Sequence, residues 1–223
     1  MNKKNYINNF YLSLIKVLDK KNRSIFLHEP SIDREENKYL SKCIESKMVS
    51  TAGNFTQRFE SELKKYTKSK YVLSLINGTS ALHLSIISAG IKKNEEILLP
   101  SLTFVATGNS ILYNNSIPHF VDIDENLAID FEKLNKYLTK ISSIKDGKCY
   151  NKRTGRIIRA LMPMHTFGHI CNIKKMKRLA KKFKLLIIED AAEALGSFHK
   201  KQHAGTFGNV GILSFNGNKI ITT

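Results

Sequence analysis

Residues 160–190, ALMPMHTFGHICNIKKMKRLAKKFKLLIIED, carry the pattern that decides the fold. An apolar run at 160–164 precedes a segment, 173–183, whose apolar residues recur at helical spacing. A second apolar run follows at 185–189. Short apolar runs separated by helices are typical of a mostly parallel β-sheet that is covered on both faces. This stretch therefore predicts an α/β fold.

The same alternation continues in both directions along the chain. Further strands are predicted at 71–76, 96–99, 119–123 and 210–214. Further helices are predicted at 5–18, 35–46, 55–66, 80–89, 104–113 and 131–141, and a polar segment, 145–156, interrupts the alternation. We divide the chain into an N-terminal helical extension, residues 1–24, and a large domain, residues 25–223.

The charge balance invites a different function, nucleic-acid binding. The 223 residues include 36 Lys and Arg against 19 Asp and Glu, which gives a net charge of +17. However, the basic residues are scattered along helix faces, and no basic stretch is interleaved with aromatic residues. We therefore interpret the charge as a solvated surface and expect no nucleic-acid partner.

Cysteine content and hydropathy bear on the cellular compartment. The three cysteines, Cys43, Cys149 and Cys171, show no CxxC spacing, which argues against a disulfide framework. No apolar run approaches the roughly 18–20 residues that a membrane helix needs. We expect a soluble, cytoplasmic protein with no membrane partner.

Polar residues after the strands are candidate site residues, because parallel sheets bind ligands beyond the carboxyl ends of their strands. The first predicted strand is followed by Asn77, Gly78, Thr79 and Ser80. The glycine permits a tight turn, Thr79 or Ser80 can cap the next helix, and its free N–H groups can bind an anion. The alternative interpretation is an ordinary helix cap.

Two later strand ends carry an acid and an amine. Asp190 follows the run at 185–189, and Lys219 follows the strand at 210–214. Separately, they could be a structural aspartate and a surface lysine. Together with the glycine turn they match the needs of pyridoxal phosphate, which are a phosphate site, an acid at the pyridinium nitrogen and a lysine for the aldehyde.

These motifs resemble the DegT/StrS family of sugar-nucleotide aminotransferases, which have the pyridoxal-phosphate fold type I. The matching stretches are NGTSALHLS (77–85), LPSLTFVATGNSI (99–111), HFVDID (119–124), MPMHTFGH (162–169), IIEDAAEALGS (187–197) and GTFGNVGILSFNGNKIITT (205–223). The N-terminal helix and LHEPSI (27–32) resemble the subgroup that aminates nucleotide-linked 4-keto-6-deoxy-N-acetylhexosamines, on routes to bacillosamine and legionaminic-acid-type sugars.

The resemblance implies a role for each matching residue. Lys219 would form the Schiff base with pyridoxal phosphate and move the substrate proton, and Asp190 would keep the ring nitrogen protonated. The other implied cofactor contacts are Gly78, Thr79, Ser80 and Ser214 at the phosphate, Phe104 stacked on the ring, and Glu193 nearby. The family's dehydratases have a histidine at the position that matches 219, so the resemblance implies that a lysine there favours transamination.

The implied reaction transfers an amino group, with glutamate as the expected donor, to C4 of the nucleotide-linked sugar. The resemblance further implies that the full-length enzyme is a homodimer and that it serves polysaccharide or glycan biosynthesis. Relatives continue beyond the lysine with another strand, which lies inside the sheet, and with a small C-terminal domain. We therefore expect a truncated chain with a gap in its sheet. The alternative is an inactive remnant or a non-enzymatic cofactor-binding fragment.

Two other motifs have competing interpretations. His165, His169 and Cys171 have a spacing that a metal could use, but no distant pair of ligands completes the site, so we expect no metal. We expect His165 to face the same cleft as the cofactor. Residues 205–211 resemble a dinucleotide loop, but they precede a strand instead of opening a helix.

Overall fold

The computed structural model describes residues 3–18, 28–50 and 53–223. The helices are α1 (Lys3–Leu18), α2 (Arg34–Glu45), α3 (Asn54–Thr67), α4 (Gly78–Ser88), α5 (Val105–Tyr113), α6 (Phe131–Ile141) and α7 (Ile173–Phe183). The strands are β1 (Glu96–Pro100), β2 (Ile117–Val121), β3 (Ser142–Lys145), β4 (Lys148–Asn151), β5 (Ile157–Leu161), β6 (Leu186–Asp190), β7 (Phe198–His199), β8 (Gln202–His203) and β9 (Val210–Ile212).

Five parallel strands form the part of the sheet that positions the site. Their order is β2-β1-β5-β6-β9. Antiparallel β4 lies beside the first residues of β5, on the same side as β6, and β3 pairs with β4. The predicted class, a mostly parallel α/β sheet, is confirmed.

Helices cover both faces of this sheet, and neighbouring strand residues contribute to different cores. On one face, α6 and α7 pack over residues that include Leu98 of β1 and Ile187 of β6. On the other face, α4 and α5 pack over Ile97, Leu99 and Ile188. Because side chains alternate along a strand, consecutive residues of β6 point into opposite layers.

The predicted strand at 71–76 is wrong. The segment has no strand partner among the described residues, and Tyr71 is 77% and Ile76 91% exposed. The carboxylate of Glu60 in α3 accepts hydrogen bonds from the N–H and the hydroxyl of Ser74 in this segment. A strand needs a neighbouring strand for its backbone hydrogen bonds. Residues 71–76 do not obtain one from β9, which pairs only with β6 in the described part of the chain.

The polar segment 145–156 contains structure that the sequence analysis missed. Strands β3 and β4 form a hairpin whose turn residues, Asp146 and Gly147, have φ angles of 50° and 70°. An Asp-Gly pair with positive φ at both residues is the preferred two-residue hairpin turn. That dipeptide was the available signal.

The N-terminal helices do not enter the core. Neither α1 nor α2 contains a buried residue. Residues 19–27 lie outside the described residues, so the boundary placed at residue 24 and Leu27 of the LHEPSI motif stay predictions. None of the helices in the described ranges is long and apolar enough to cross a bilayer.

The loop before β9 runs very close to the sheet. A Cβ atom on Gly211 would lie 1.9 Å from the Gly205 carbonyl oxygen, and one on Gly208 would lie 2.6 Å from the Ile187 Cγ2 atom. Neither space can hold a methyl group. These glycines therefore allow the chain that leads to Ser214 and Lys219 to pack against β6.

We expect Gly211→Ala to destabilise the protein by about 3 kcal/mol or more, because overpacking against backbone cannot be relieved by a rotamer change. The measurement is the free energy of unfolding in urea. Gly217→Ala is the matched control, because a Cβ there would meet nothing within 4 Å. Equal stability of the two variants would contradict the packing assigned to this loop.

A buried carboxylate ties the amino ends of the strands together. Glu96 accepts hydrogen bonds from Thr154 at 2.6 Å and from the Asn151 amide, and it lies 2.7 Å from His119 Nδ1. Burial acts to raise the pKa of Glu96, but these hydrogen bonds together outweigh it and lower the pKa to about 2.

We expect Glu96→Gln to cost about 2–3 kcal/mol of stability near neutral pH, since it breaks charge-assisted hydrogen bonds in a buried site. A lowered pKa adds stability above the ordinary value of 4.5, and this contribution is lost as the pH falls towards 2. The difference between wild type and variant should therefore shrink over that range in urea titrations. Exposed Glu62→Gln is the control, and a pH-independent difference would argue against this assignment.

Candidate active site

The helix N-terminus predicted to bind phosphate is present, but another residue caps it. Helix α4 begins at Gly78, and the Asn77 side chain accepts the Ser80 N–H at 2.8 Å. The expectation that Thr79 or Ser80 caps this helix is therefore wrong. The N–H groups of Gly78 and Thr79 have no acceptor among the described residues, so they remain available to an anion.

Ser214 lies directly against this helix start. A Cβ on Gly78 would lie 3.3 Å from both Cβ and Oγ of Ser214, so the missing side chain at 78 allows the serine to approach. Thr79, Ser80 and Ser214 are half-buried. The structure thus brings together the four residues predicted at the phosphate, from two distant parts of the sequence.

Asp190 is buried at the carboxyl end of β6. Its Oδ2 atom accepts the Thr107 hydroxyl at 2.7 Å, and its Oδ1 atom accepts the Ala192 N–H at 3.2 Å. Burial raises the pKa of Asp190, while the hydrogen bond from Thr107 and the charge of Lys219 act in the opposite direction. A cation placed at this carboxylate would replace the lost hydration.

Lys219 reaches the same region from the loop after β9. Its Nζ atom lies 3.1 Å from Glu193 Oε1 and 5.4 Å from the centre of the Phe104 ring. Its side chain is only 11% exposed. The other Glu193 oxygen accepts the Phe167 N–H at 2.9 Å. The Lys219 amine is therefore fixed in a crevice by Glu193, unlike the amine of a solvated surface lysine.

A cavity of about 170 Å³ opens beside these groups. It is lined by Leu102, Thr103, Phe104, Met164, Thr166, Phe167 and Glu193. Met164 forms a β-bridge with Asp190, and β9 pairs Ile212 with Asp190 two residues before Ser214. Phe104 and Glu193 therefore line a crevice at the carboxyl ends of β1, β5 and β6, and Lys219 contacts both of them. The strand pairings bring Asp190 and Ser214 close to it.

Some residues at the site were not found from the sequence. Thr107 was missed, although it lies in the first turn of a helix that follows a strand end, and this place is a usable signal. Phe167 adopts a left-handed conformation, with φ 52°, and its ring is 73% exposed beside the cavity. No pattern in the sequence indicates that conformation.

His165 lies elsewhere than the sequence analysis expected. Its side chain is fully buried, and its Nε2 atom is 2.9 Å from Glu189 Oε2. Because Glu189 and Asp190 point to opposite faces of β6, His165 contacts the layer behind the site and does not face the cleft.

A sequence profile of the DegT/DnrJ/EryC1/StrS aminotransferase family matches residues 30–223. The chain belongs to this family. The motifs and the profile indicate the same family, which includes pyridoxal-phosphate-dependent sugar aminotransferases.

Individual relatives support the same assignment. GDP-perosamine synthase of Escherichia coli O157:H7 is 36% identical over 197 residues, which are 88% of this chain and 50% of that protein. UDP-4-amino-4,6-dideoxy-N-acetyl-beta-L-altrosamine transaminase of Campylobacter jejuni is 32% identical, over 86% of this chain and 47% of the relative. An aminotransferase from Psychrobacter cryohalolentis superposes with a TM-score of 0.76 at 28% identity, over 89% of this chain and 47% of its own.

The chain spans about half the length of the curated relatives it matches. Its residues nevertheless fit pyridoxal phosphate. The free N–H groups of Gly78 and Thr79 beside Ser214 suit a phosphate, buried Asp190 suits a pyridinium nitrogen, and the amine of Lys219 lies in the crevice lined by Phe104 and Glu193.

Proposed function

We propose that this chain carries the cofactor half of an aminotransferase that acts on a nucleotide-linked 4-keto-6-deoxy-N-acetylhexosamine, with glutamate as amino donor. The observation that supports this most directly is the meeting of Lys219 with Glu193 and Phe104 beside buried Asp190. A lysine with a surface role would be solvated, whereas the Lys219 side chain is only 11% exposed and lies against a carboxylate and an aromatic ring.

Each site residue then has a specific task. Bound pyridoxal phosphate would supply an aldehyde and an electron-accepting ring. The N–H groups of Gly78 and Thr79, with the hydroxyls of Ser80 and Ser214, would hold its phosphate. Asp190 would hold a proton on the ring nitrogen, with Thr107 fixing the carboxylate.

Phe104, Glu193 and Lys219 would act around the reacting atoms. Phe104 would lie against the ring and exclude water from one face. Glu193 holds the Lys219 amine in the crevice through their 3.1 Å contact. Released from this contact, Lys219 would bind the aldehyde and carry the proton that leaves the substrate α-carbon.

The sugar class rests on the relatives. The names of two relatives are those of a perosamine synthase with a GDP-linked sugar and of a transaminase with a UDP-linked 4-amino-4,6-dideoxy-N-acetyl sugar. Both names describe amino sugars attached to a nucleotide. We propose the same class here, with catalysis by a homodimer of the whole protein.

The test uses isotope-labelled glutamate with UDP- and GDP-linked 4-keto-6-deoxy sugars, each with and without an N-acetyl group. Mass spectrometry should show the labelled nitrogen in the UDP- or GDP-linked N-acetyl sugar, and sedimentation should show a dimer. Label that appears only in the sugars without an N-acetyl group would refute the proposed substrate. Stoichiometric cofactor binding without label transfer to any sugar would instead support a non-enzymatic cofactor-binding fragment.

A further inference from the structure

Glu189 is a buried carboxylate that none of the roles above uses. It precedes Asp190 on β6, and its side chain is fully buried on the opposite face of the sheet. Its carboxylate accepts the Gly205 N–H at 3.0 Å and the Gly208 N–H at 2.6 Å, and it lies 2.9 Å from His165 Nε2. A charge buried this deeply must be compensated by such contacts.

The donors belong to different parts of the site's framework. Gly205 and Gly208 lie in the loop that leads into β9, and this strand is followed by Ser214 and Lys219. His165 follows β5. One carboxylate on β6 therefore joins the strand that carries Asp190 to the segment that carries the lysine.

His165 is the third group that contacts the Glu189 carboxylate, after the two glycine N–H groups. Its Nδ1 atom accepts the Cys171 N–H at 3.3 Å, so its Nε2 atom carries the hydrogen that is donated to Glu189. Its backbone N–H donates to the Asp190 carbonyl oxygen at 3.0 Å. The residue thus contacts Glu189 through its side chain and Asp190 through its backbone.

We propose that Glu189 and His165 are positioning residues that set the separation between Asp190 and Lys219. This inference rests on the proposed function, because it assumes that Asp190 and Lys219 hold the two ends of one cofactor. Neither positioning residue touches the cofactor. A shift of about 1 Å between the two groups would be enough to lower function 100-fold.

The experiment compares Glu189→Gln with wild type in the full chain. Glutamine keeps the size of the side chain, but its NH2 group cannot accept a glycine N–H. We expect the variant to fold without cofactor by far-ultraviolet circular dichroism. We also expect it to bind pyridoxal phosphate about 10- to 100-fold more weakly, because the two anchoring groups move apart.

The decisive readout is the visible circular dichroism that the protein induces in the bound cofactor, measured at saturation. This signal reports how the ring is held, and a purely structural role would leave it unchanged. We expect it to fall by half or more in Glu189→Gln. Glu132→Gln, which removes an exposed carboxylate paired with Lys175, should match wild type in every measurement.

His165→Gln provides a second variant that removes the donor to Glu189 and retains a polar side chain. It should lower the induced signal in the same direction as Glu189→Gln. Unchanged affinity and signal in either folded variant would overturn the proposal, and so would failure of both variants to fold. If wild type itself does not bind pyridoxal phosphate, the proposed function fails first, and this outcome is distinguishable.

Discussion

Under the proposed function, replacing Lys219 by alanine should abolish amino transfer, with a loss of about 1,000-fold or more, because the proposed covalent attachment point and proton carrier disappear. The visible absorbance that arises when the lysine amine binds the cofactor aldehyde should disappear as well. The fold should persist, because Glu193 is the only hydrogen-bond partner of the Lys219 amine among the described residues.

The measurement combines absorbance spectra with label transfer from glutamate. Lys201→Ala, on the exposed turn between β7 and β8, is the matched control and should behave as wild type. Turnover that survives in Lys219→Ala would show that another group does the chemistry. A variant that is unfolded by far-ultraviolet circular dichroism would contradict the few contacts described for this side chain.

Asp190→Asn should separate function from stability. If Asp190 has the proposed role, transfer should fall by about 100- to 1,000-fold, since a neutral amide cannot hold a proton on the ring nitrogen. The cofactor-free protein should become more stable near neutral pH, because the buried carboxylate no longer has to ionise. The pKa of Asp190 is raised in the folded state, so folding favours the protonated carboxyl. Wild type therefore loses stability as the pH rises above 3.8, the ordinary pKa of an aspartate.

Urea unfolding without cofactor, at pH 4 and pH 7, tests this sign. The variant should exceed wild type at pH 7, and the difference should be much smaller at pH 4. Asp146→Asn in the hairpin turn is the control, because asparagine is equally suited to that turn. Lower stability of Asp190→Asn at pH 7 would mean that its hydrogen bonds outweigh the cost of burial.

The parts of this fold that depend on local sequence patterns could be predicted. The helices at 131–141 and 173–183 match α6 and α7, because each has one apolar stripe over a polar face. The strands at 96–99 and 185–189 match β1 and β6 to within a residue or so, because buried parallel strands are continuously apolar.

The parts that depend on distant partners could not be predicted. Residues 71–76 have the composition of a strand, but strand formation requires a neighbour, and no single-segment pattern reports one. The same limit applies to the site. Asp190 and Lys219 were found because each follows an apolar run, whereas the Glu189–His165 contact joins residues 24 positions apart by side chains alone.

The alternation of β6 has a consequence for how this protein can vary. Glu189 and Asp190 are neighbours that point to opposite faces of the sheet. Glu189 binds the loop before β9, and Asp190 binds Thr107 on the side of the site. Adding or deleting a single residue upstream within the strand would exchange them and send each acid to the wrong layer. The register of β6 in the sheet therefore determines which acid faces the site. Substitutions can change the two acids one at a time, whereas a change in strand length would misplace both.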